Sequence, residues 1–101
     1  MMTNIETVVT VKQWIYVDAQ SKAGKYNFTL VWSHEHDAGK DYWTSDDTFN
    51  LYGTITRETE KAVLMECDYW NLNKAGRYIT DAPRCKGFKV WIPKSAILCQ
   101  I

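Results

Sequence analysis

From Val9 onward, hydrophobic and polar positions alternate. Val9, Val11, Gln13, Ile15 and Val17 fall on one face of an extended chain, and Thr10, Lys12, Trp14, Tyr16 and Asp18 on the other. A period of two carried by β-branched and aromatic residues predicts a strand. A polar turn follows through Gly24. A second run then places Tyr26, Phe28, Leu30 and Trp32 on one face and Asn27, Thr29, Val31 and Ser33 on the other. The two runs predict an antiparallel hairpin. Residues 34–48 are polar and turn-forming apart from Tyr42 and Trp43, and read as a long loop.

Strands resume at Phe49–Thr56, turn at Arg57–Glu60 and continue through Lys61–Tyr69. Asn71–Lys86, with Gly76 and Pro83, reads as a second excursion. The chain then runs through Gly87–Ile92 to Pro93, which cannot donate to a ladder and so separates two short strands, the last being Ala96–Ile101. No helix-length window holds a 3.6-residue period. The expected fold is all-β: a small antiparallel β-barrel or sandwich, SH3-like or OB-like, with five to six short strands and two long loops. Val11, Ile15, Phe28, Leu30, Val63, Val90 and Ile92 are its expected core.

With 101 residues, 46% of them hydrophobic, the chain builds one core and is read as a single domain over residues 1–101. Its longest apolar run near the start, Trp14–Val17, is too short for an export signal or a membrane span. Cys67, Cys85 and Cys99 are odd in number and lack close pairing, which predicts free thiols in a reducing cytoplasm.

Two segments resemble known proteins. Trp91-Ile92-Pro93-Lys94-Ser95-Ala96-Ile97 is similar to the closing segment of SH3-like barrels, where a strand enters a tight turn at a proline before a short last strand. Residues 53–65 (GTITRETEKAVLM) with 90–95 (VWIPKS) resemble a pattern in small phage and mobile-element proteins. The opening motif and paired tryptophans of true SH3 domains are missing, so proline-peptide binding does not carry over. The resemblance implies a barrel and a phage origin, and with it a host protein as partner in the bacterial cytoplasm.

Charge is zero overall but uneven. Residues 1–50 hold four lysines against seven acidic groups, and residues 51–101 hold eight basic groups against five acidic. Zero net charge argues against a dedicated duplex-DNA binder. The acidic loop surrounds Tyr42 and Trp43 with Asp41, Asp46 and Asp47, a composition that steers and anchors a basic protein partner. Trp14 and Tyr16, on the outward strand face, extend that interaction surface. The alternative is single-stranded nucleic acid held by Trp91, Lys89, Tyr78, Arg77 and Lys94, where cations and stacking platforms interleave. His34 and His36 share a face without a committed third ligand, so no metal or other cofactor is expected. No nucleophile motif or phosphate-binding loop is present, which favours a non-enzymatic binding module, with a phage-encoded inhibitor that occupies a host-protein surface as the specific form.

Overall fold

In a computed structural model, which describes residues 5–35, 47–79 and 82–100, the chain runs β1 (Ile5–Lys12), α1 (Gln13–Gly24), β2 (Phe28–Leu30), β3 (Trp32–Glu35), β4 (Thr48–Glu58), β5 (Ala62–Asn71), β6 (Cys85–Pro93), a 3-10 turn (Lys94–Ala96) and β7 (Ile97–Gln100). All strand pairings are antiparallel, and the seven described strands form one sheet. Along its main body the order is β6-β5-β4-β1-β7. The 3-10 turn at Pro93 links the two outermost strands of that order. Among the described residues no helix is long and apolar enough to cross a membrane.

The centre of the sheet is a hairpin that forks. β4 and β5 pair from Glu58↔Val63 to Gly53↔Cys67 and then diverge. β6 already occupies the other edge of β5 at Tyr69, and β1 the other edge of β4 at Thr48–Leu51. β2 therefore enters the fork along β5, with Leu30 opposite Tyr69, and β3 leaves it along β4, with Trp32 opposite Leu51. The chain turns this corner at Val31, whose N–H donates to the Asp68 carbonyl at 2.9 Å. At the point of divergence only glycine fits: a Cβ on Gly53 would press on the Glu66 carbonyl oxygen and lie 2.8 Å from Cys67 Cα.

The expected hairpin between the first two runs does not form. β1 stops at Lys12 and pairs with β4 and β7, and residues 13–24 are helical. The reason lies in Ile15, Ala19 and Ala23, four residues apart and all buried, which make a narrow helical stripe small enough to lie close on the sheet. Tertiary packing of that stripe overrides the strand preference of Trp14, Ile15, Tyr16 and Val17. Gln20 completes the docking. Its Oε1 accepts from Leu30 N at 2.9 Å and its Nε2 donates to Phe28 O at 3.2 Å, satisfying the edge of β2 that faces away from β5.

Of the expected core, Val11, Ile15, Leu30, Val63 and Ile92 are buried, while Phe28 and Val90 are half-buried against it. Val9, Leu51, Ile55 and Met65 complete the centre. Val17, assigned to the inward face of a strand, is exposed on the outside of α1. Cys67 is buried, Cys85 half-buried and Cys99 exposed, and all three are free thiols.

Candidate functional site

Among the described residues, two of the hollows lie beside the strands around the fork. The first, a groove of about 500 Å³, is built where α1 ends beside β2 and β6. The helix stops at Gly24. Asn27 takes a positive φ of 58°, which asparagine tolerates better than most side chains, and the turn throws Tyr26 into solvent at 67% exposure. The Tyr26 ring stacks toward Phe28 at 5.8 Å, and Phe28 stacks on Tyr69 at 4.2 Å. Phe88 meets Phe28 edge-on at 6.3 Å. It follows Gly87, whose φ of 105° is a glycine conformation.

Lys22, Lys25 and Lys89 stand around these rings. Lys22 makes an exposed pair with Asp18 at 3.0 Å, while Lys25 and Lys89 make no ion pair among the described residues. Cations around stacked rings suit a ligand that is both anionic and planar.

The second hollow, about 310 Å³, is lined by Glu6, Thr7 and Val8 of β1, Tyr52 and Gly53 of β4, Asp68 of β5 and Arg84. Asp68 is buried, and its Oδ2 takes both Arg84 Nε at 2.9 Å and Nη2 at 2.7 Å. The Arg84 guanidinium lies 5.6 Å from the centre of the Tyr52 ring. Glu6 is tied to Lys86 at 3.1 Å. Next to Asp68 along the chain, Cys67 faces the core, and burial first, then the Asp68 charge, pushes its thiol up to about 12. It is not a nucleophile near neutral pH.

The expected site residues scatter. Lys89 alone joins the groove. Trp91 is half exposed on β6 opposite Leu64, and Lys94 is held by Glu58 at 2.7 Å. Tyr78 is exposed, beside Arg77 in a turn closed on Asn73. Of the protein-docking set, Asp41, Tyr42, Trp43 and Asp46 lie outside the described residues, as does His36. Asp47 is buried instead of displayed on an acidic surface. Trp14 and Tyr16 do not share an outward strand face. Trp14 is 56% exposed on α1, whereas Tyr16 is half-buried, stacked parallel on Phe49 at 4.3 Å and tilted against Trp32 at 5.0 Å. Burial, and secondarily the Tyr78 charge, raises the Tyr16 pKa above its usual value. His34 packs on Phe49 at 5.4 Å, and among the described residues no three His, Cys, Asp or Glu side chains converge as metal ligands.

Lys22, Lys25, Tyr26 and Phe28 are the groove residues that sequence reasoning missed as binding residues, whereas Phe88 stands beside Lys89 in the basic–aromatic segment that it singled out. The signal was the basic–aromatic run Lys22–Phe28, which reads locally as a turn and an inward strand. No family model, curated protein or solved structure matches the chain.

Proposed function

We propose that the protein is a non-enzymatic binding module that holds single-stranded nucleic acid in the groove of Lys22, Lys25 and Lys89, on a partly open SH3-like barrel. The barrel reading rests on the strand order β6-β5-β4-β1-β7 with a 3-10 turn between its outermost strands. The observation that carries the function is the groove itself: three lysines around the rings of Tyr26, Phe28 and Phe88. Each base offers a π-face to stack and each phosphate a charge to neutralise, so such a surface takes any sequence. A zero net charge is no obstacle, because single-strand binding needs a local run of cations and not a basic protein.

The test is fluorescence anisotropy with a labelled oligonucleotide at low salt. Tyr26 is exposed, so Tyr26→Ala leaves the fold intact while removing one platform, and it should weaken binding by about 1–3 kcal/mol. Absence of binding to any single strand at low salt overturns the proposal.

A second reading, a phage-encoded inhibitor that covers a host protein, is favoured by Trp14 and Val17. They lie one turn apart on the outside of α1, both more than half exposed. Under it, Trp14→Ala abolishes capture of the host protein and leaves oligonucleotide binding unchanged.

A further inference from the structure

The rings and the cations of the groove both limit which part of a strand it can take. Phe28 is stacked on Tyr69 at 4.2 Å and met by the edge of Phe88 at 6.3 Å. Tyr26 lies over Phe28 at 5.8 Å and 25°. A base inserted between two rings needs about twice the ~3.4 Å spacing of stacked nucleotides, which is more than that gap. Phe28 and Phe88 are half-buried, so among the described lining residues Tyr26, exposed to solvent, is the ring left for a base to stack on. A hollow of about 500 Å³ is the size of one small ligand.

The cations along this edge are mostly committed. Beside or on β6, Arg84 is held by Asp68 at 2.7 Å, Lys86 by Glu6 at 3.1 Å and Lys94 by Glu58 at 2.7 Å. Lys89 is the exception and makes no ion pair among the described residues. On the helix side Lys22 shares Asp18 at 3.0 Å, and Lys25 makes no such pair. Lys25 and Lys89 therefore bring uncompensated charge from two elements to one hollow. A strand that continued along β6 in either direction would meet lysines already tied to carboxylates.

We propose that the groove takes the phosphorylated end of a single strand, with the terminal phosphate on Lys25 and Lys89 and the terminal base on Tyr26. The inference rests on the nucleic-acid reading of the groove and adds the part of the strand that is recognised. Charge per base selects the end. Inside a strand each base brings one phosphodiester with a single negative charge. A phosphomonoester carries about −1.5 to −2 near neutral pH and offers three acceptor oxygens. One stacking face beside two unpaired lysines matches the second ratio. Each ammonium supplies three N–H donors from a compact charge, which suits a group approached from two sides. The 5′ and 3′ ends can carry the same group, and the experiment tells them apart.

The experiment measures anisotropy of an internally labelled oligouridine on the unaltered protein. The strand carries hydroxyls at both ends, a 5′-phosphate or a 3′-phosphate. A phosphorylated strand should bind about tenfold more tightly than the hydroxyl-ended one, as expected for a charge-assisted contact, and the strand that does so names the end. Lys25 is exposed, so Lys25→Ala keeps the fold, and in it that advantage should largely disappear. Lys86→Ala should retain it, because Lys86 is tied to Glu6 and does not line the groove. Equal binding of the three strands overturns the end site and leaves the groove reading standing. Binding of none overturns both. Loss of the advantage in Lys86→Ala but not in Lys25→Ala overturns the placement of the phosphate. Uridine 5′-monophosphate that competes as well as the phosphorylated strand would make the ligand a free nucleotide and overturn the strand end.

Discussion

In the groove, lysines stand in water around partly covered aromatic rings; in the cavity, a carboxylate is buried beneath an arginine. The groove draws on β6 and the cavity on β5 and the residue just before β6, yet they relate charge to stability in opposite ways. An exposed lysine contributes little to folding, so the groove can be altered without disturbing the sheet. A buried carboxylate is held by its partner, and removing that partner strands a charge in a poorly solvated place. Charge and stability are separable in the first region and joined in the second.

The largest expected effect breaks this joint. Arg84→Ala leaves Asp68 buried and unpaired, and a lost partner of a buried pair costs about 3–5 kcal/mol. Arg84 is itself partly exposed and water replaces some of what it supplies, so about 2–3 kcal/mol is expected for the variant. Urea unfolding measures it. A midpoint equal to that of the parent would mean that the pair is not the constraint described, and the contrast with the groove would fail.

A second test concerns Cys67, whose side chain packs into the core from the residue before Asp68. In the unfolded chain the thiol ionises near its usual value of ~8.5, but in the fold only at about 12. Between those values the folded chain keeps a proton that the unfolded chain has released. The stability contributed by the neutral thiol is therefore complete below about pH 8.5 and declines as pH rises towards 12. The fall in melting temperature through that window should be shallower in Cys67→Ala. Under native conditions near neutral pH, alkylation should label exposed Cys99 first and spare Cys67 until the chain unfolds. Equal labelling of both would place Cys67 outside the core.

What could be read from the sequence follows from how local each signal was. Phe49–Thr56 and Lys61–Tyr69 are alternating runs joined by a short polar turn, and they form the β4–β5 hairpin; the Pro93 break became the 3-10 turn before β7. Trp14–Val17 misled because the same residues satisfy two periods. The stripe that decided for a helix consists of Ile15 and two alanines, too small to register as hydrophobic pattern. The groove was illegible for a different reason. Lys25 and Tyr26 come from a turn, Phe28 from β2 and Phe88 and Lys89 from β6, and only the pairing of β2 and β6 with β5 brings them together. Lys89 was found because it stands in a basic segment. Trp91, Tyr78, Arg77 and Lys94 stand in that segment too, but the fold turns them elsewhere.

The smallest expected effect on folding, and the sharpest on binding, belongs to Lys89. It is exposed, makes no ion pair among the described residues and borders the groove. Lys89→Ala should therefore change unfolding stability by less than ~0.5 kcal/mol, the usual range for a surface substitution away from special features. If the lysine neutralises a phosphate, its loss weakens binding alike for every sequence. It also reduces the slope of log affinity against log salt by about 0.7, the value of one phosphate contact on a single strand. Anisotropy titrations across several salt concentrations give that slope directly. Lys94→Ala is the control, since Lys94 is committed to Glu58 away from the groove and should leave the slope unchanged. Equal slope changes in the two variants would mean that the strand follows the whole basic segment instead of the groove. A change in Lys94→Ala alone would move the site to the turn after Pro93, where Lys94 meets Glu58. A change in Lys89→Ala alone assigns it to the rings of Tyr26, Phe28 and Phe88, where charge can be removed without cost to the fold.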